Sequence, residues 1–368
     1  PPRTASQKRL SRPPPPAMAG LPGELVAPTH ARPAFQPPRA MDMPDFVLED
    51  TAGWLQHLYT DGVVRIRAVL APEEVAHVKG LFWEWLESLG GNARREDAAT
   101  WTDDNFPGLL DKGFFCTRGG GQSAAAWAVR GNRNVHRAFA EIWQTDDLLT
   151  SFDTFIGWRP WWSAPGRPAA ARPRTEGMHC DQNPHTKTGL HCVQGMVPLR
   201  PVTRSIGGLC VVPGTHTDVT QAQLRELFPA TKSDDWLPLQ LKFPSHELNF
   251  CGELVEADPG DLILWDSRAL HGGYVGPGGG RSGASAVGSA SDAAAPELAR
   301  LSLAVCMVPA SQASPGDLGK RAAAVERGDT MTHWPLGHKK QAGKDSGGAA
   351  LPPLPEWRRN YQAPELDA

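Results

Sequence analysis

Beyond about residue 150 the apolar residues come in short runs bounded by Gly, Pro or Asn: Leu190–Leu199, Gly208–Val212, Leu262–Trp265 and Leu301–Val308. Such runs are strand-length, and several of them with turn residues between favour a β-sandwich or β-barrel over a helical bundle. None approaches the roughly 20 apolar residues that span a bilayer. With 368 residues, 40% apolar and 21% charged, the chain is long enough to bury a sizeable core.

The part before residue 150 has a different period. Pro72–Leu86 places Val75, Val78, Leu81, Phe82 and Trp85 at helical spacing, with Pro and Glu in the first turn and Gly90-Gly91 at the end. Val135–Trp143 reads as a second helix, ending near Thr145–Asp147. The expected class is therefore mainly β with flanking helices: one domain over residues 41–310, with a helical preface at 45–150 and a β core at about 150–310.

Glycine and proline (38 and 35 residues) mark what lies outside that core. Residues 1–40 hold eleven Pro, with Arg3, Lys8, Arg9 and Arg12 and no acidic residue before Glu24. Such a stretch cannot bury enough apolar surface to offset its ordering entropy and is predicted to be a disordered tail; its basic start is also compatible with organelle import. Residues 276–299 are almost wholly Gly, Ser and Ala, the composition of a flexible loop. With Leu262–Trp265 before it and Leu301–Val308 after it, the loop reads as a lengthened hairpin connection. A C-terminal extension, 311–368, contains the polar patch Gly337–Gly348 and then Trp357 and Tyr361.

A net charge of −3 offers no long-range attraction for a polyanion and argues against nucleic acid as a partner. Six Cys (116, 180, 192, 210, 251, 306) without a CxxC pair read as reduced thiols, so an intracellular, cytoplasmic location is expected.

Two His-x-Asp triplets stand out, His179-Cys-Asp181 and His216-Thr-Asp218. Chance alone supplies about one such triplet in a chain of this composition. On an extended strand the two ligand-type side chains of a triplet project to one face and can share a metal. Two His and one carboxylate on one face of iron leave positions open for a chelating cosubstrate and dioxygen. The third ligand expected is His271, which follows the apolar run Gly260–Leu270 and precedes a predicted tight turn at Gly272-Gly273. Arg300 and Ser302 open the next strand and offer a bidentate fork and a hydroxyl suited to a carboxylate.

In order and spacing, five stretches resemble the phytanoyl-CoA 2-hydroxylase (phytanoyl-CoA dioxygenase) family of Fe(II)/2-oxoglutarate oxygenases: Asp61–Val75, His179-Cys-Asp181, Gly207–His216, Gly260–Gly273 and Arg300-Leu-Ser302. The resemblance covers roughly residues 45–310. It implies a double-stranded β-helix, the cupin-like jelly roll, with His179, Asp181 and His271 binding iron, Arg300 pairing with the distal carboxylate of 2-oxoglutarate and Ser302 assisting. In the family pattern the Pro-Gly-Ser/Thr-His element is a turn, which makes His216-Thr-Asp218 structural. The Arg lies 29 residues beyond His271, further than in the family, and Arg281 inside the glycine-rich loop is the rival for its role. Retention of Asp181 favours hydroxylation over halogenation. The activity implied is hydroxylation of an unactivated C–H bond of a small or medium organic molecule, with O2 consumed, succinate and CO2 released, and ascorbate as a candidate reductant. Alternatives are an oxygenase acting on a protein side chain or nucleobase, and a non-catalytic cupin-type metal binder.

Around this core, Gln194 could bond 2-oxoglutarate or substrate if its strand face is inward. Gln182, Asn183, His185 and His191 flank the ligand pair. Asp266 and Arg268 read as a structural ion pair. Trp158, Trp161 and Trp162 read as packing, and Thr332-His333-Trp334-Pro335 as a lid or a surface anchor.

Overall fold

The computed structural model describes residues 37–162, 172–175, 177–230, 236–279 and 295–337. The proline-rich tail to residue 36, Arg281 with most of its loop, and Trp357 and Tyr361 lie outside the described residues.

In chain order the elements are β1 (Phe46–Val47), α1 (Thr51–Asp61), β2 (Val63–Arg67), α2 (Pro72–Ser88), α3 (Ala124–Arg130), α4 (Arg133–Trp143), β3 (Leu148–Thr150), β4 (Phe155–Trp158), β5 (Val193–Pro198), β6 (Gly207–Val211), α5 (Asp218–Leu227), α6 (Leu239–Lys242), β7 (Glu253–Leu254), β8 (Leu262–Asp266), β9 (His271–Val275), β10 (Arg300–Pro309) and α7 (Pro315–Glu326). The fold is mainly β with flanking helices. A larger sheet runs β1-β2-β8-β5-β10-β3, with β4 also on β10, and a smaller sheet runs β7-β6-β9. An antiparallel bridge between His179 and His271 adds residues 179–180 to the smaller sheet. From β4 onward the chain switches repeatedly between the sheets, and among the described residues they do not close into a barrel.

Side-chain alternation builds three layers. On the outer face of the larger sheet, Val193 and Val197, Leu262 and Leu264, and Leu301, Leu303 and Val305 join a core with Trp54, Phe82, Val129 and Phe139 of the helices. On the inner face, Met196, Ile263 and Trp265 pack against Leu209, Val211, Leu254 and Tyr274 from the smaller sheet side. Strands buried on both faces read as continuous apolar runs, which explains the runs visible in the sequence. The same alternation turns Gln194, Arg300 and Ser302 inward.

Helix α2 starts at Pro72, as its start signals predict, with Glu74 bonding the Ala71 N–H at 2.8 Å. Three expectations differ from the fold. The helical preface also supplies β1 and β2, and β2 pairs antiparallel with β8; its five residues Val-Val-Arg-Ile-Arg are too short a run to register against the flanking helices. The loop before β10 is not a hairpin connection, because β9 and β10 belong to different sheets and β5 separates β8 from β10. Gly272 and Gly273 form no turn but lie within β9. A Cβ on Gly272 would stand 2.6 Å from the Gly177 carbonyl oxygen, so glycine there permits the close approach that joins His179 to His271. Among the described residues no helix is long and apolar enough to cross a membrane.

Candidate metal centre

His179 and His271 are held side by side by backbone hydrogen bonds in both directions, 2.8 and 2.9 Å, and their rings lie 4.4 Å apart. Each imidazole faces a backbone carbonyl with its Nδ1: Gly177 O at 2.7 Å for His179, Ala269 O at 3.0 Å for His271. A carbonyl only accepts, so Nδ1 carries the proton and Nε2 is left with its lone pair, the state a metal ligand requires. Asp181 closes the group, with Oδ1 3.6 Å from His179 Nε2 and Oδ2 3.3 Å from His271 Nε2. The three ligand-type atoms lie within 4.8 Å of one another, close enough to hold one metal ion. Cys180, between the two, points the other way, buried with its thiol on the Arg268 carbonyl.

The carboxylate is fixed from behind. Gln194 donates from Nε2 to Asp181 Oδ2 at 2.9 Å, so its inward amide is engaged with the acid. Burial pushes the Asp181 carboxyl up, but His333, His179 and His271 around it outweigh that and hold it well below the usual carboxylate range. It is an anion at neutral pH.

These groups line a cavity of about 390 Å³ between the two sheets. Its walls include Phe114, Ile156, Trp158, Met196, Leu209, Trp236 and Trp265, with Arg300 in the same wall. Arg300 is buried, stacked 4.5 Å over Trp158, and among the described residues its Nη2 meets only the Met196 sulfur, at 3.3 Å. Burial lowers its pKa to about 10, which leaves it charged at neutral pH. Its Nε and the hydroxyl of Ser302, two residues along the same strand face, are buried without hydrogen-bond partners. A buried cation and hydroxyl left unsatisfied are costly unless a ligand completes them. A dicarboxylate reaching from the His/Asp group would do so. The residues therefore fit both a metal ion and 2-oxoglutarate.

The second triplet is elsewhere. His216 Nε2 contacts the Tyr59 carbonyl at 3.1 Å, Thr217 caps α5, and exposed Asp218 pairs with Arg268 at 3.2 Å. Arg268 also forks onto Asp266, at 2.7 Å through Nη2. Gln182 bonds the carbonyls of Lys187 and Gly189, while His185 and His191 contact the carbonyls of Phe228 and Thr188. None of these three lines the cavity, nor does Asn183. Trp158 lines it, while Trp161 and Trp162 pack beside it with Val275 and Ala299.

Two cavity residues carry more chemistry than their sequence neighbourhoods suggest. Asp153 is buried, and desolvation raises its carboxyl to about 7 despite the Thr154 N–H bond and the Arg130 charge. His333 sits with Nδ1 3.7 Å from Asp181 Oδ2, inside the cavity rather than on a surface anchor. Burial lowers its pKa against the pull of Asp181 and keeps it neutral at pH 7. A histidine beside a tryptophan in an otherwise polar extension was the available signal.

Residues 58–275, more than half of the chain, match the family described as phytanoyl-CoA dioxygenase. The chain belongs to that family, and with it to the 2-oxoglutarate-dependent non-haem oxygenases. It is similar to Ava biosynthesis cluster protein O of Aspergillus versicolor, 29% identical over 245 residues that cover 62% of this chain and 74% of that one. Among solved structures it is similar to the epimerase SnoN in complex with Fe3+, alpha ketoglutarate and nogalamycin RO, at 15% identity over 71% of this chain and 84% of that one, TM-score 0.45. The carbocyclase SnoK from nogalamycin biosynthesis gives 15% identity over 74% and 95%, TM-score 0.42.

Proposed function

We propose that this protein is an Fe(II)- and 2-oxoglutarate-dependent oxygenase that hydroxylates an unactivated C–H bond of a small or medium organic molecule. His179, Asp181 and His271 would hold the iron, and Arg300 with Ser302 the distal carboxylate of 2-oxoglutarate. The observation that carries the reading is the buried, acid-free Arg300 in the same cavity as the His/Asp/His group. A protein that only stored or sensed a metal would have no use for that uncompensated cation. The alternation of β4 to β10 between two sheets supports a double-stranded β-helix built from residues 41–310, with residues 311–337 packed against it.

When bound, the iron and 2-oxoglutarate supply the activation of O2 that breaks the C–H bond, with succinate and CO2 as coproducts. The protein's share is position and dielectric. Nδ1 bonds from His179 and His271 to backbone carbonyls keep Nε2 available, and the Gln194 amide holds Asp181 Oδ2. Trp158 backs the Arg300 guanidinium, and Trp265 lies 5.5 Å from the His271 ring. Much of the remaining wall is aromatic and aliphatic, with Lys112, Asp153, Arg174 and His333 among its charged or polar members, so the bound substrate would present apolar surface to most of it. The naming of the Aspergillus relative for a biosynthesis cluster is in keeping with a small organic substrate.

The test is 2-oxoglutarate turnover with Fe(II), ascorbate as reductant and O2, with succinate measured across a panel of small apolar and aromatic molecules. Succinate from the native protein and none from His179→Ala supports the reading. No succinate under any condition, together with no charge-transfer absorption on adding 2-oxoglutarate to the Fe(II) protein, overturns it.

A further inference from the structure

His333 reaches the cavity from beyond the last strand and beyond the stretch matched to the family, which ends at residue 275. Its segment is tied into the body from several sides. The Gly121 N–H donates to Thr330 Oγ1 at 2.9 Å, and Gln122 Nε2 donates to the Asp329 carbonyl at 3.0 Å. The Met331 N–H donates to the Phe152 carbonyl at 2.9 Å, and Arg321 Nη1 donates to the Pro335 carbonyl at 2.7 Å. Met331 is packed in a small core with Trp127, Phe152, Ala324 and Val325. These ties span both sides of His333 in sequence, so the segment is a fixed strap and not a swinging lid.

The strap brings the His333 ring to one particular atom. Asp181 Oδ2 has Gln194 Nε2 at 2.9 Å, His271 Nε2 at 3.3 Å and His333 Nδ1 at 3.7 Å, while Oδ1 faces His179. At 3.7 Å the His333 contact is longer than a hydrogen bond, so the ring stands beside the carboxylate without being bonded to it. His333 is not one of the three residues whose ligand atoms cluster within 4.8 Å. It lines the same cavity as those three.

Resting on the metal-centre reading above, we propose that His333 is a positioning residue: an imidazole, brought by the C-terminal strap to 3.7 Å from Asp181 Oδ2, that acts with the Gln194 amide to fix which way the Asp181 carboxylate faces the metal. Partners of this kind change metal affinity by about 10- to 100-fold.

The experiment titrates Co(II) into the full chain without O2, following the visible ligand-field spectrum and the dissociation constant. The proteins compared are the native chain, His179→Ala, His333→Ala and His333→Asn, whose amide can take the place of the imidazole. The expected result is stoichiometric binding by His333→Ala about tenfold weaker than native, with a shifted spectrum, and recovery of both by His333→Asn. Native affinity and spectrum in His333→Ala would overturn the proposal, as would failure of His333→Asn to improve on His333→Ala. Should His333→Ala not fold, as a thermal melt would show, His333→Asn against His333→Leu makes the same comparison. Equal Co(II) binding by the native chain and His179→Ala would instead overturn the metal-centre reading itself.

Discussion

His179-Cys-Asp181 and His216-Thr-Asp218 have the same spacing and residue types, yet the fold uses them differently. The first lies on extended backbone bridged to His271, so both side chains leave on one side and meet a third ligand-type group. The second straddles a strand end and the start of α5, where Thr217 caps the helix, Asp218 sits in its first turn and His216 packs under Gly62. A triplet becomes a candidate metal site only when the backbone beneath it is extended and a partner strand supplies the third donor.

The sharpest way to break that contrast is to remove one member from each. His179→Ala or Asp181→Ala is expected to abolish metal binding, read by Co(II) titration. His216→Ala is expected to keep native affinity within about twofold and to lower stability by about 1–3 kcal/mol, the usual range for deleting one partner of a buried hydrogen bond. The next largest effect concerns the cavity's uncompensated cation. Arg300→Met should weaken 2-oxoglutarate binding by about 2–5 kcal/mol, a loss of roughly thirtyfold to several thousandfold by calorimetry. The ligand-free protein should melt no lower than native, because a buried charge without a partner has been replaced by an apolar chain.

Asp153 adds a pH dependence. Asp153 ordinarily titrates near 3.8 and is raised to about 7 in the fold by burial. Between those values the folded state holds a proton that the unfolded state has released, so stability falls as pH rises and levels off above 7. Asp153→Asn should remove a slope of up to about 1.4 kcal/mol per pH unit across that window, seen as a melting-temperature gain over native that grows from pH 4 to 7. Smaller still is a pair of glycines. Gly62 has φ +78°, and a Cβ there would stand 2.5 Å from His216 Nδ1, so Gly62→Ala should lower the melting temperature and leave Co(II) affinity unchanged. Gly272→Ala, which presses on the backbone between the two histidines, should also weaken Co(II) binding, by about tenfold.

That His179, Asp181 and His271 come together was partly legible: a period of two puts both ends of a His-x-Asp triplet on one face, while the choice between the two triplets rested on His271 and the family resemblance. Arg300 was legible as a carboxylate fork at the start of a strand, although the glycine-rich loop hides its family spacing; the alternation of β10 turns it inward with Ala304. The features that differ share one cause. Whether Gly272 turns the chain or admits a neighbouring backbone, whether a loop closes a hairpin or crosses between sheets, and whether Thr332–Pro335 lies on the surface or over the metal site depend on which segments meet in space. His333 is the extreme case, on a segment tied down by bonds such as that from the Gly121 N–H to Thr330 Oγ1, 209 positions apart.

The central claim is that His179, Asp181 and His271 on one wall and Arg300 on another form a single site for Fe(II) and 2-oxoglutarate. It is tested most directly by anaerobic titration of 2-oxoglutarate into the Fe(II)-loaded protein, following the visible charge-transfer band of the chelate in native, His216→Ala and Arg300→Met chains. The native protein should give a saturating band, His216→Ala the same half-saturation, and Arg300→Met a much higher one. Absence of the band in the native chain, or native half-saturation in Arg300→Met, would contradict it.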